Sequence, residues 1–357
     1  MSEKFQETAK KFAFKKLPDS EVELAGEIPY EEVAPYRDRA LKHLAEHIEL
    51  PGFRKGHVPA DMALKKVGEL GVLEEAVEML IQDLYPALLA EHKVDAVGRP
   101  DIRINKLAPN NPVALTLNIA VYPEVKLPLT WKMIGDDIAL EPAQPATDEE
   151  MKQTLDSLQQ SRKIKNEDGT ETVPELTDAF AKSVGAFETF EALKEQIKKG
   201  IGEEKERAAK DARRGKIIDK LLDKVEVEVP RIFVESEQSK FLAQLKEDIA
   251  RFNIPYDDYL KRTGKTEEEL LADFRDQAYK RAKLQLTLNK IADDEKVVAD
   301  DASVEAEIKH ALEHFPDAKP ELLRIHIETV LKNEKVLRML EGDVTPVIAT
   351  PHDHSHE

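Results

Sequence analysis

The apolar residues of this chain follow two different periods, and the change between them constrains the fold more than any single motif. In the first 125 residues, alternating apolar residues predict a β-hairpin over 10–28 and two further strands near 102–107 and 113–121. Between the hairpin and these strands, helical spacing predicts three helices, at 29–49, near 59 and over about 71–92. The first part of the chain is therefore predicted to fold as an α+β domain.

After residue 147 the apolar residues follow only the helical period. Helices are predicted at 147–163, 187–225, 231–252, 266–293, 301–315 and 320–340. Two capping boxes, Thr147–Glu150 and Thr266–Glu269, mark the beginnings of two of them. The stretch 198–216 is almost entirely charged, which is typical of a solvated helical arm. We therefore expect an all-α C-terminal domain with extended helical arms.

The segment boundaries are predicted from proline content and from the loss of either period. Pro128, Pro142 and Pro145 fall in a stretch without a clear pattern, which predicts an extended linker. The last residues are polar and without a pattern, and we expect them to be disordered. The predicted organisation is an N-terminal domain at 1–126, a linker at 127–146, a helical domain at 147–340 and a tail at 341–357.

Composition excludes several classes of protein. With 53 Lys and Arg against 71 Asp and Glu, the net charge of −18 argues against a general nucleic-acid surface and against specific DNA binding. The absence of cysteine excludes disulfides and thiol chemistry. Residues 1–7 lack the apolar core of a signal peptide, and no apolar run is long enough to span a membrane. We expect a cytoplasmic protein.

The loop between the first two predicted helices carries an aromatic side chain and two cations between glycines. Gly52 and Gly56 tolerate left-handed backbone angles, and Pro59 suits the first turn of a new helix. A tight loop is predicted, with Phe53, Arg54 and Lys55 at its tip. An exposed phenylalanine beside two cations indicates contact with a partner, and the alternative is an ordinary turn whose phenylalanine packs on the core.

Other motifs carry weaker signals. His310, Glu313 and His314 match an inverted zinc-protease pattern, but both histidines lie mainly off the apolar stripe of their helix. The pair His43 and His47 and the histidine-rich tail at 352–356 are interpreted in the same way, as polar surface. Gly264-Lys265-Thr266 resembles the end of a phosphate loop, yet Tyr259 stands where that motif needs glycine. We predict no catalytic residues, no metal site and no cofactor.

Three segments resemble one protein family. Gly52-Phe53-Arg54-Lys55-Gly56-His57-Val58-Pro59 is similar to the ribosome-docking signature of bacterial trigger factors. Val121-Tyr122-Pro123-Glu124-Val125 resembles the short segment that ends the N-terminal domain of that family. The stretch 176–185 resembles the beginning of its C-terminal helical domain.

The resemblance implies an ATP-independent chaperone that docks at the ribosomal exit tunnel and shields nascent or unfolded polypeptides. The N-terminal domain would bind the large subunit through the loop, with these residues in contact: Gly52, Phe53, Arg54, Lys55, Gly56 and Pro59. The helical arms would form a cradle for the client. Phe233, Phe241 and Phe252 are candidate client-binding residues, with a place in a packed core as the alternative.

The prolyl isomerase domain usual in this family is expected between 163 and 176, where about a dozen residues leave no room for it. The only aromatic residue from 126 to 175 is Trp131, so an aromatic pocket for a prolyl bond is also missing. We therefore predict a non-enzymatic chaperone. Two alternatives stay open: retained isomerase activity without the usual domain, and a ribosome-independent holdase or assembly scaffold.

Overall fold

The computed structural model describes residues 5–51, 53–54, 56–165 and 171–343. The predicted tail at 341–357 therefore lies almost entirely outside the described residues. The α-helices are α1 Gln6–Ala9, α2 Tyr30–Val33, α3 Arg37–His47, α4 Ala60–His92, α5 Asp148–Ser161, α6 Asp178–Val184, α7 Phe190–Lys224, α8 Arg231–Arg251, α9 Tyr256–Thr263, α10 Glu267–Asp294, α11 Asp301–His314 and α12 Pro320–Glu341. The strands are β1 Ala13–Leu17, β2 Glu21–Ile28, β3 Asp101–Lys106, β4 Val113–Ala120, β5 Ile164–Lys165 and β6 Glu171–Thr172.

Internal contacts divide the chain into two compact units. The first combines 1–126 with 226–286, and the second combines 127–225 with the chain from 287 onward. No local sequence pattern predicts this grouping, because it depends on contacts between residues far apart along the chain. The boundaries predicted at 126, 146 and 340 stay predictions.

The first unit contains a four-stranded antiparallel sheet in the order β1-β2-β4-β3. The predicted hairpin over 10–28 is confirmed as β1 and β2, joined by a tight turn in which Asp19 and Ser20 have φ of 58° and 52°. Strand β4 alternates buried and half-buried residues along its whole length, as the sequence predicts. One face of the sheet is therefore apolar and the other polar.

Helix α4 supplies the apolar layer that covers the sheet. Its buried residues from Val72 to Leu88 belong to one cluster with residues of β2 and β4, among them Leu80, Leu84, Leu88, Leu24 and Leu117. Leu24 and Leu117 are cross-strand partners in the middle of the sheet. Burying leucine side chains of this size contributes roughly 1.5–3 kcal/mol each. The N-terminal α+β layer is thus held mainly by one helix on one sheet.

The single helix predicted over 29–49 is wrong in detail. The chain instead forms α2, a turn of 3₁₀ helix at Ala34–Tyr36, and then α3. Pro35 explains the break, because proline lacks the N–H that an uninterrupted α-helix would use at this position. The two helices predicted on the far side of the loop are confirmed as the two parts of α4, which meet at Gly68 with φ 79° and ψ 165°.

The remainder of the first unit is helical. Helices α8 and α10 lie where the sequence predicts them, and the capping box at Thr266 is confirmed: its backbone N–H donates to Glu269 at 2.8 Å. Helix α9 was not predicted. The two parts of this unit meet near the hairpin turn, where the Ser20 hydroxyl donates to the carbonyl of Glu228 at 2.9 Å.

In the second unit, the stretch 127–146 is not extended throughout. It contains a turn of 3₁₀ helix at Trp131–Met133, and both Trp131 and Ile134 are buried. An adjoining part of this stretch is tied to α7 by Arg213, whose guanidinium donates to the carbonyls of Gly135 at 3.0 Å and Ile138 at 2.7 Å. Because Trp131 and Ile134 are buried, this part of the chain is not extended, and the number of prolines did not predict that.

Helices α5, α7, α11 and α12 lie close to the predicted spans, whereas α6 was not predicted as a helix. Thr147 with Glu150 forms the predicted capping box. Helix α7 is uninterrupted over 35 residues. The two-residue strands β5 and β6 were not predicted. The structure is thus mainly helical with a small antiparallel sheet, as the predicted fold class requires.

Candidate functional site

The loop between α3 and α4 is fixed by backbone hydrogen bonds at both ends. The N–H of Phe53 donates to the carbonyl of Leu50 at 3.1 Å, and the N–H of His57 donates to the carbonyl of Arg54 at 3.0 Å. Gly56 has φ 82°, a left-handed conformation that glycine adopts without strain. Gly52 and Lys55, the other two predicted site residues of this segment, lie outside the described residues.

Pro59 begins the helical side of the loop. It occupies the N-cap position of α4, one residue before the predicted one, with φ −60° and ψ 143°. Its carbonyl accepts from the N–H groups of Met62 and Ala63, both at 3.0 Å. Proline is favourable here because it needs no hydrogen bond of its own and its φ is already fixed. The backbone of Pro59 therefore sets the direction in which the loop joins α4.

The side chains at the loop tip face outward. Phe53 is 41% exposed, so it does not pack on the core as the alternative interpretation required. Arg54 is exposed, and no hydrogen bond or ion pair joins its guanidinium to the part of the chain that the structure describes. A large aromatic ring and a guanidinium with five unused donors stand side by side. This combination is typical of protein interface hot spots.

A small apolar cluster holds the loop from beneath. Ala45 of α3, Val58 of the loop and Ala63 of α4 are its buried members. The partly buried side chains packed on them are Leu41, Ile48, Leu50 and Met62. Its buried members differ from those of the core under the sheet, and Leu41 packs on both clusters and so connects them. Val58, an apolar residue inside the loop, is the sequence signal that could have predicted this cluster.

Two polar contacts join α3 and the turn before it to α4, and the first lies next to the kink at Gly68. The Arg37 guanidinium donates to both carboxylate oxygens of Glu69, at 2.7 and 2.8 Å. The Tyr36 hydroxyl donates to Asp83 at 2.7 Å, and burial together with this bond raises the pKa of Tyr36 to about 12. The Arg37 fork lowers the pKa of Glu69. These contacts fix the two helices that carry the loop.

The candidate client-binding phenylalanines have three different surroundings. Phe233 is partly buried and meets Tyr122 edge-on, with ring centroids 6.3 Å apart. Phe241 is partly buried and packs on Phe274 at 5.8 Å. Phe252, at the end of α8, is 78% exposed. Of the three, Phe252 is therefore the side chain most available to a partner.

The weaker motifs are accounted for by local structure. His310 and His314 lie on α11 with ring centroids 4.9 Å apart. Within the described ranges there is no group of three or more His, Cys, Asp or Glu residues placed to hold a metal ion. Gly264 ends α9 in a left-handed conformation, and the next helix begins at its capping box. None of the helices described is both long and apolar enough to cross a membrane.

Comparison with known proteins covers most of the chain. The family described as "Bacterial trigger factor protein (TF)" matches residues 10–158. The family described as "Bacterial trigger factor protein (TF) C-terminus" matches residues 189–345. Neither match includes 159–188, the part of the chain in which an isomerase domain was expected and predicted to be missing.

Similar full-length proteins carry the same description. A protein named "Trigger factor" from Shouchella clausii (strain KSM-K16) is 24% identical, over 83% of this chain and 88% of its own length. Another of that name, from Carboxydothermus hydrogenoformans, is 24% identical over 87% of this chain and 92% of its own. A solved structure titled "Promiscuous Substrate Recognition in Folding and Assembly Activities of the Trigger Factor Chaperone" is 20% identical, with a TM-score of 0.50 over 93% of this chain and 100% of that one. At this identity it supports the fold alone.

Proposed function

The chain belongs to the trigger factor family of ribosome-associated chaperones, and from that premise we propose that it docks on the large ribosomal subunit beside the exit tunnel through the loop at 52–59. Docked there, it shields nascent polypeptides without using ATP. The contacts are made by Phe53, Arg54 and Lys55, with Gly52, Gly56 and Pro59 shaping the loop. The protein acts in the cytoplasm, where ribosomes and emerging chains are found.

The observation that carries this proposal is the exposure of Phe53 and the unused donors of Arg54 on a fixed loop. A loop that is already ordered loses little conformational entropy on binding, so more of its contact energy appears as affinity. Phe53 supplies an apolar anchor, and Arg54 is suited to a two-bond ion pair with a carboxylate or a phosphate. Together they favour a specific contact over a general electrostatic one.

Cosedimentation with ribosomes tests the docking site. The variant Phe53→Ala with Arg54→Ala and Lys55→Ala is expected to lose roughly 10- to 100-fold in affinity, as when hot-spot side chains are truncated. A matched control, Phe315→Ala with Lys309→Ala and Arg162→Ala, removes the same side-chain types from exposed positions elsewhere. Binding of the loop variant at wild-type affinity would refute the docking site. Suppression of aggregation without any ribosome binding would favour the ribosome-independent holdase.

We place the client contacts on the helical arms, at Phe252 first and at Phe233 and Phe241 second. The exposure of Phe252 supports this order, since an unfolded chain binds apolar side chains that are open to solvent. Phe252→Ser is expected to weaken the suppression of aggregation of an unfolded client, whereas Phe315→Ser serves as an exposed control. Equal suppression by the Phe252 variant and wild type would remove Phe252 from the client site.

We also propose that the protein has no prolyl isomerase activity. Neither family match includes residues 159–188. Where the structure describes this range, its strands have two residues each and α6 has seven. A segment as short as 159–188 cannot form a domain with its own apolar pocket. The measurement is the refolding rate of a client limited by prolyl isomerisation. Acceleration at catalytic concentrations of the protein would overturn this part of the proposal.

A further inference from the structure

An apolar groove opens beside the docking loop, on the side of α3. It has a volume of about 410 Å³. Its apolar lining is supplied by α3, the loop and the first residue of α4, through Leu41, Ala45, Gly56, Val58 and Ala60. Because two of these residues belong to the loop itself, the groove is continuous with the proposed docking surface. A partner that contacts the loop tip therefore lies next to the groove.

Gly56 keeps this groove open. Its φ of 82° is one that residues with a side chain rarely adopt, and a Cβ there would lie 3.9 Å from the carbonyl oxygen of Glu46. The backbone thus passes close to the end of α3, and no loop side chain at this position covers the space beside it. An incoming side chain can use that space.

Charged side chains of α3 form the rim of the groove. Asp38, Lys42 and Glu46 follow one another at intervals of four residues, so they lie on one face of the helix. All three are exposed. Asp38 also meets Arg37 at 3.5 Å, a contact open to solvent that contributes little. The rim therefore offers two carboxylates and one ammonium, in contrast to the cationic loop tip.

We infer that this groove is a second docking contact, which receives a basic segment of a ribosomal protein that presents an apolar side chain between lysines or arginines. The inference rests on the proposed docking function. The apolar side chain enters between Leu41 and Val58, and the flanking cations pair with Asp38 and Glu46. Carboxylates at the rim repel phosphate, so the α3 side of the loop faces protein rather than RNA. Lys42, between the two carboxylates, weakens this preference.

Variants that remove negative or positive charge from the rim distinguish a protein occupant from RNA, because the two occupants predict opposite changes in ribosome affinity. Ribosome affinity is measured by titrating labelled full-length protein with ribosomes at fixed salt. Asp38→Asn with Glu46→Gln is expected to weaken binding about three- to tenfold, because two exposed ion pairs are lost. Lys42→Ala is expected to tighten binding about twofold. The control, Glu27→Gln with Glu31→Gln, removes two exposed carboxylates elsewhere in the same unit and leaves the affinity nearly unchanged.

Equal or tighter binding of the Asp38 and Glu46 variant overturns the groove contact, whatever the loop variants do. Tighter binding of that variant together with weaker binding of Lys42→Ala would mean that the groove faces RNA phosphates. The proposed docking function is tested separately, because it fails only if Phe53→Ala with Arg54→Ala and Lys55→Ala binds like wild type. The two failures are therefore distinguishable in one set of titrations.

Discussion

The apolar cluster beneath the docking loop makes a prediction that links packing to ribosome binding. Val58 is 7% exposed and lies between Ala45 and Ala63, so Val58→Ala removes two buried methyl groups. At about 0.8 kcal/mol for each, the loss is roughly 1.6 kcal/mol. The cluster is small and near the surface, so it partly relaxes, and we expect a cost of about 1–2 kcal/mol. We expect Val58→Ala to destabilise the ordered conformation of the loop more than the core under the sheet.

Two measurements follow from that magnitude. Hydrogen exchange at the amides of Phe53 and His57, which are hydrogen-bonded in the loop, should become about tenfold faster. Ribosome affinity should weaken about two- to tenfold, because only the fraction of molecules with an ordered loop binds. The matched control is Val22→Ala, a valine 5% exposed in the core under the sheet. It should lower the stability of the domain and leave loop exchange nearly unchanged.

Either of two results would refute this reasoning. Unchanged exchange at Phe53 and His57 would mean that Val58 does not order the loop. Faster exchange with unchanged ribosome affinity would mean that order in the loop does not contribute to binding. In both cases the exposed tip residues would have to account for docking by themselves.

Three further predictions concern stability. Hydrogen bonds from Lys205 and Thr147 lower the pKa of Glu150 to about 2. The contribution of Glu150 to folding stability is therefore present above the ordinary pKa of 4.5 and is lost as the pH falls toward 2. In urea unfolding at pH 5 and pH 3, Glu150→Gln should reduce this loss of stability in acid. The pKa of Tyr36 is raised to about 12, so its contribution to folding stability is present below pH 10 and is lost as the pH rises toward 12. Tyr36→Phe should remove this loss at alkaline pH. In thermal unfolding at neutral pH, the same variant should cost about 1 kcal/mol. The Arg214 guanidinium forms forked ion pairs with two glutamates of α12, Glu334 and Glu341. Arg214→Met should therefore cost about 1–2 kcal/mol in urea unfolding, and no change in the midpoint would contradict that.

Local signals predicted the elements that depend on neighbouring residues. The alternation of Val113, Leu115, Leu117 and Ile119 predicted β4, because its side chains meet a helix on one face only. The capping box at Thr147 predicted the beginning of α5, because the side chains involved are three residues apart. The sequence of the loop likewise predicted a tight turn, and the structure adds the exposure of Phe53.

Contacts between distant residues could not be predicted in the same way. The pairing of Tyr122 with Phe233, and the approach of Ile232 to Gly98, join parts of the chain more than 100 residues apart. Trp131 is buried in a turn that packs on α12, a helix much later in the chain. For the site, the groove beside the loop was missed because its lining comes from two helices and a loop, none of which is apolar enough alone to indicate it.

Site-specific photocrosslinking tests the central claim most directly. A photoreactive phenylalanine analogue is placed at Phe53 in the full chain, and at Phe315, which is also exposed, as a control. After irradiation with translating ribosomes, we expect position 53 to give crosslinks to large-subunit components beside the exit tunnel. Unlabelled wild type should compete these crosslinks away, and position 315 should not give them. Crosslinks of equal yield and identity from both positions, or none to the ribosome from position 53, would contradict docking through this loop.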